Sequence, residues 1–290
     1  MNPTKNVTHP GPEPASSARP TPETDDVTVV VATRNRPDRL RQTMRHHRAP
    51  VIVVDNGSDQ PLDIDGAEVI RLDHNLGAAA RNIGAERART PFVAFADDDS
   101  FWAPGSLACA AEVLHACPRT ALLAAEVRVG PENRLDPISA DMATAPLGTP
   151  AGGAGPAVLG FLACAAVVRR DTFLAVGGFN PKLLVYGEEA LLAMDLAAAG
   201  WQLSYTPHLT VHHHPEPAGR NVRARRRREA RNRILTALLR RPPAVVARAV
   251  AAGLVTDPTA VASVLPELRW ALNDRRRVPE SVERALRAIA

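Results

Sequence analysis

Phe92–Ser100 reads FVAFADDDS, an apolar run that turns abruptly into three aspartates. Five apolar residues are too few for a helix and fit a strand buried on both faces. The acids then mark its carboxyl end as a place for chemistry. The same plan recurs upstream. Val27–Ala32 (VTVVVA) runs into Thr33-Arg34-Asn35-Arg36, Val51–Val54 (VIVV) into Asp55-Asn56-Gly57-Ser58, and Val69–Leu72 (VIRL) into Asp73-His74-Asn75-Leu76-Gly77. Helical stretches are expected at Pro37–His47, Leu76–Arg89 and Ser106–Ala116. Strands alternating with helices predict an α/β fold with a mostly parallel sheet flanked by helices. Ligands of such sheets bind outside the carboxyl ends of the strands, so four polar clusters should meet along one edge.

Further along, Phe161–Val168 (FLACAAVV) is strand-like. Glu188–Ala199 reads as a helix stopped by Gly200, and Trp201–Tyr205 and Leu209–His213 as two closing strands. Beyond Gly219 the chain reads as wholly helical. Residues 1–24 hold six prolines among Ser, Thr and Gly, so they read as a disordered tail, with an idle Asn6-Val7-Thr8 sequon. The expected division is therefore a tail at 1–24, an α/β domain at 25–218 and a basic helical extension at 219–290.

Charge narrows the function. The net charge of +4 conceals ten Arg and one Glu between Arg220 and Arg241, a local +9 against −5 for the remainder. A general nucleic-acid binder would not concentrate its charge so. The basic segment suits a surface touching anionic membrane or an acidic partner, a clamp on a diphosphate, or a solvated face. The uncharged stretch Met142–Val168 is broken by Pro and Gly, and no transmembrane helix is expected. Three widely spaced cysteines and no secretory signal point to a reducing cytosol, with peripheral contact at the inner membrane face as the further option.

Within the clusters each functional reading has a plainer rival. On an extended backbone Asp97 and Asp99 share a side, suiting a hard divalent cation, while Asp98 points away. The rival is acidic capping of the helix after Pro104. Asp55-Asn56-Gly57-Ser58 is also an ordinary turn sequence, and Arg81 also an ordinary helix arginine. Glu188 and Glu189 open a helix, where the dipole favours acids whatever their role; a general base is the alternative, and the sequence leaves these even. His212, His213 and His214 alternate in direction, so only one or two could serve a metal.

Taken in order, VTVVVATRNRPDRL, VIVVDNGSD, HNLGAAARNIGAERA, FVAFADDDS, GGFNPKLLVYGEEALLAMDLAAAGWQL and VHHHP resemble the family 2 glycosyltransferases of the GT-A fold, from Val27 to His214. The resemblance implies that Asp97 and Asp99 hold Mg²⁺ or Mn²⁺ with His213, and that Asp98 contacts the donor ribose. It implies that Asp55 reads the nucleobase between Thr33 and Arg36, and that Arg81 lies near base and phosphates. Glu189 matches the catalytic base, where Asp is commoner, and Leu191 stands where many members carry a further Asp. The implied activity is inverting transfer of a sugar from a nucleotide-sugar donor to an acceptor hydroxyl of a saccharide, lipid-linked molecule or natural product. Segment 131–156 falls at the acceptor-facing loop. A sugar nucleotidylyltransferase would need a glycine-rich loop after the first strand, where VATRNRPD has none. A non-enzymatic protein binding through its basic helix would leave the acids incidental.

Overall fold

The computed structural model describes residues 22–215 and 221–290. The expected tail and its sequon lie almost wholly outside these. Glu23 does not behave as tail: its carboxylate accepts from Gly105 N (2.8 Å) and Leu107 N (2.9 Å), at the start of a helix that has no side-chain cap of its own.

The elements run β1 (Val27–Thr33), α1 (Pro37–Met44), β2 (Val51–Asp55), β3 (Glu68–Arg71), α2 (Ala80–Arg87), β4 (Phe92–Asp97), β5 (Ser100–Trp102) and α3 (Ser106–Ala116). There follow β6 (Thr120–Val129), β7 (Arg134–Leu135), α4 (Pro137–Ala143), β8 (Ala166–Arg169), α5 (Arg170–Ala175), α6 (Glu188–Ala198) and β9 (Gln202–His213). The chain closes with α7 (Val222–Arg240), α8 (Pro243–Thr256), α9 (Pro258–Ala262), α10 (Leu268–Asn273) and α11 (Glu280–Ala288).

One sheet has the order β3-β2-β1-β4-β8-β6-β9-β5, with β7 beside β6. Its first four strands are parallel, as the alternating pattern requires. Beyond β4 it is mixed: β8 is antiparallel to β4 and β6, β9 is parallel to β6, and β5 is antiparallel to β9. Alternate side chains of β1 serve opposite faces. Val27, Val29 and Val31 pack with Leu40, Leu107 and Leu114, whereas Val30 packs with Phe95, Phe173 and Leu192.

Several expectations change. The strand read at Phe161–Val168 is a short 3-10 turn followed by β8. The two closing strands are one, β9. Its pairing to β6 skips from Thr206 to Thr210, so Pro207 sits in an irregularity where its missing N–H breaks no ladder bond. Segment 131–156 contains α4, started by an Asp136 side chain that accepts from Ile138 N.

The extension packs firmly on the sheet domain. Ile234, Leu235 and Leu239 of α7 bury against Leu183 and Leu191, and Arg240 forms a two-pronged ion pair with Asp195 of α6. Arg225, Arg227, Arg231 and Arg241 likewise meet Glu229, Asp257, Glu267 and Glu283. Much of the +9 charge is thus matched by acids, three of the four from residues beyond the segment. Among the described residues no helix is long and apolar enough to cross a membrane.

Candidate active site

Strand register aligns the first site residues. Thr33 pairs with Asp55, Ala32 with Asp97 and Asp55 with Arg71, so the carboxyl ends of β1, β2, β3 and β4 reach one edge together. Asp98 and Asp99 are not extended; they form a tight turn, closed by Ser100 Oγ accepting from Asp97 N at 2.8 Å. This turn, rather than strand alternation, brings Asp97 and Asp99 to one side.

His213 arrives through β5, which pairs Ser100 with His213, while His214 N donates to Asp99 O at 2.8 Å. His213 Nε2 lies 3.2 Å from Asp99 Oδ1, and one ligand atom each from Asp97, Asp99 and His213 fall within 4.8 Å of one another. His212 and His214 instead flank Phe101, with ring centroids at 5.2 and 5.6 Å. Only His213 of the three reaches the acids.

Asp98 turns the other way and is 5% exposed. Its Oδ2 accepts from Thr33 Oγ1 at 2.8 Å and its Oδ1 from Arg36 Nη1 at 2.6 Å. A ribose hydroxyl donating to Asp98 would use a lone pair that Thr33 and Arg36 leave free. Burial pushes Asp98 up to about 6, against the Thr33 bond and the Arg36 charge. Burial would also raise Asp99, but the His213 bond and Arg36 outweigh it and hold Asp99 below the usual carboxylate range.

Asp55 is fully buried at the end of β2. Its Oδ1 accepts from Ser58 N at 3.0 Å, and its Oδ2 has no partner. Such an orphan is costly unless a ligand satisfies it. Arg81, far from being a solvated helix arginine, is buried and paired through Nη2 with Asp97. Burial disfavours its charge, yet Asp97, together with Glu188 and Glu189, raises its affinity for the proton. One guanidinium therefore reaches both the aspartates and the glutamate pair electrostatically.

The glutamates open α6 behind Gly187, whose φ of 99° sets the turn. Glu189 is half-buried and lines a cavity of about 590 Å³ with Asp141, Met142 and Phe161. Glu188 is the more deeply buried, and its Oε2 accepts no hydrogen bond. Leu191, Leu192 and Leu196 are all buried, so the apolar stripe does not separate the two acids. Burial raises both carboxyls, Glu188 to about 8; the charge of Glu189 raises Glu188 further, whereas Arg81 and a hydrogen bond from Glu188 work against the rise at Glu189.

Three asparagines to which the sequence reading gave no role hold this architecture. Asn56 bridges Leu76 N and Gly77 O, and Asn82 bridges both the N and O of Phe179. Asn232, fully buried on α7, places its Nδ2 at 2.7, 3.1 and 2.9 Å from the carbonyls of Leu183, Val185 and Tyr186. That loop carries two non-glycine residues in the left-handed region, Leu184 (φ 59°) and Tyr186 (φ 73°), immediately before the glutamates. The signal for Asn232 was a polar residue on the apolar face of a helix.

The model of the family "Glycosyl transferase family 2" matches residues 28–171. A pre-mycofactocin glycosyltransferase of Mycobacterium tuberculosis is 36% identical over 223 residues, covering 71% of this chain; the chain spans 45% of that relative's length. Two solved structures share the fold at low identity. One is mannosyltransferase PcManGT from Pyrobaculum calidifontis with GDP-Man and Mn²⁺, with TM-score 0.56, 19% identity and coverage of 96% of this chain and 89% of that one. The other is S. aureus TarS 1–349 with UDP-GlcNAc, with TM-score 0.56, 14% identity and coverage of 91% and 82%. With its parallel strands, acidic turn and matched segments, the chain belongs to the family 2 glycosyltransferases and has their GT-A fold.

Proposed function

We propose that this chain is an inverting, metal-dependent glycosyltransferase that moves a sugar from a nucleoside-diphosphate sugar to an acceptor hydroxyl. The observation that carries this reading is the convergence of Asp97, Asp99 and His213 at the sheet edge. Two carboxylates and one imidazole fit Mg²⁺ or Mn²⁺, the imidazole suiting Mn²⁺ well. When bound, such an ion neutralises the departing diphosphate. The named structural relatives carry GDP-Man with Mn²⁺ and UDP-GlcNAc, which is consistent with that donor class.

The chain's own residues divide the remaining work. The orphan Asp55 Oδ2 accepts a base N–H, with Thr33 and Arg36 beside it. Arg81 holds Asp97 in place and adds positive charge on the phosphate side. Glu189 removes the proton of the acceptor hydroxyl; a carboxyl raised toward neutrality is a stronger base than an ordinary one. The acceptor oxygen bonds to the anomeric carbon as the bond to the diphosphate oxygen breaks and its electron pair leaves. A single displacement inverts the anomeric configuration. The test is NMR of the product formed from a panel of nucleotide sugars. The expected product has the anomeric configuration opposite to the donor's, and a retained configuration would overturn the single-displacement reading.

A further inference from the structure

A second concavity of about 460 Å³ lies between α6, α7 and α8. It meets the Glu189 cavity along a shared wall, since Gly187 and Ala190 line both. Glu189 lines that cavity and not this one, so a molecule lying across the shared wall would enter the space that Glu189 lines. The body of the groove is apolar, formed by Met194, Val245, Ala249 and the ring of Tyr186.

Its rim is basic. Arg233 and Arg248 line the groove, are exposed, and have no hydrogen-bond or ion-pair partner among the described residues. The other charged lining residues are already matched: Arg241 is paired with Glu283 at 2.7 Å, and Glu229 with Arg225 at 2.7 Å. The concavity therefore offers two unneutralised guanidiniums over apolar surface. None of Thr33, Arg36, Asp55, Arg81, Asp97 or Asp99 lines it, so these arginines do not serve the donor diphosphate.

We infer that this groove is an acceptor subsite that anchors an apolar molecule through an anionic group, a carboxylate or a phosphate, held by Arg233 and Arg248, while its hydroxyl reaches Glu189. Guanidinium forks suit both oxyanions, and an apolar wall strengthens the contact by limiting competition from water. The inference rests on the glycosyl-transfer reading of Glu189, and it assigns part of the Arg-rich segment to substrate recognition.

Calorimetry of the full chain with hexyl phosphate, hexanoate and 1-hexanol tests it. Hexyl phosphate or hexanoate should bind more tightly than 1-hexanol, and whichever binds identifies the anion. Arg233→Ala/Arg248→Ala should weaken that binding at least tenfold, whereas Arg226→Ala, exposed on α7 outside the groove, should not change it. Equal binding of charged and neutral probes, or wild-type binding by the double variant, would overturn the inference. So would phosphatidylglycerol vesicles binding in an Arg233- and Arg248-dependent way while the soluble probes do not bind, since the face would then be a lipid contact. UDP and GDP are titrated in parallel with Mn²⁺. Their binding should survive the double substitution. If neither binds the wild type while the groove still takes its anion, the transfer reading fails separately.

Discussion

Replacing Asn232 by alanine removes two N–H donors that three loop carbonyls share, at Leu183, Val185 and Tyr186. The side chain is fully buried, so water does not readily substitute for it. Two lost hydrogen bonds at about 1 kcal/mol each, plus a carbonyl left buried and unpaired at about 1–3 kcal/mol, give a destabilisation of about 3–5 kcal/mol. The same bonds restrain a loop with Leu184 and Tyr186 at positive φ, each costing on the order of 1–2 kcal/mol. Once released, the loop should relax toward ordinary backbone and carry Gly187 and the glutamates with it. Urea unfolding reads the first effect and steady-state kinetics the second. We expect kcat to fall at least tenfold with the donor KM little changed, because Asn232 touches no donor-side residue. The rising limb of the pH–rate profile should also move to lower pH, since burial is what raises the two carboxyls. A variant within about 0.5 kcal/mol of wild type and fully active would refute the clamp.

Other outcomes follow from the same geometry. Glu189→Gln should lose roughly a hundredfold or more in kcat, while Glu188→Gln loses far less and both retain donor binding; the reverse ranking in turnover assays would transfer the base role to Glu188. Because the folded Glu188 titrates near 8 against an ordinary 4.5, the folded state keeps a proton that the unfolded chain gives up. Its contribution to stability is present below about pH 4.5 and is lost as pH rises toward 8, so the urea midpoint should fall across that window, and Glu188→Gln should flatten the fall. Gly77→Ala should destabilise by about 2–4 kcal/mol in thermal or urea unfolding, because φ is +62° and a Cβ would lie 2.4 Å from Leu184 O.

The parallel half of the fold was legible because β-branched runs ended in polar clusters, as at Val27–Thr33 and Val51–Asp55. β6 was missed although it has ten residues, since TALLAAEVRV is Ala- and Leu-rich and carries little β-branched signal. β5 was missed because three residues make no pattern alone; it exists through pairing with β9, and that pairing delivers His213. Asp97, Asp99 and His213 were foreseen as a group, but the turn joining them was not, because strand alternation suggested the same outcome for another reason. Arg81 was ambiguous in sequence since its partner, Asp97, lies on another element. Asn232 and the groove beside Glu189 depend on how α7 packs against α6, which no local window contains.

Sugar transfer is expected to depend on a divalent ion held by Asp97, Asp99 and His213. Release of nucleoside diphosphate from a panel of sugar donors should be measured for enzyme stripped with EDTA, then again after Mn²⁺ or Mg²⁺ is restored. No release above background is expected in EDTA, with recovery on restoring metal and a loss of at least a hundredfold in Asp99→Ala protein shown by circular dichroism to be folded. Undiminished turnover in excess EDTA, or an Asp99→Ala enzyme as active as wild type, would overturn the metal dependence.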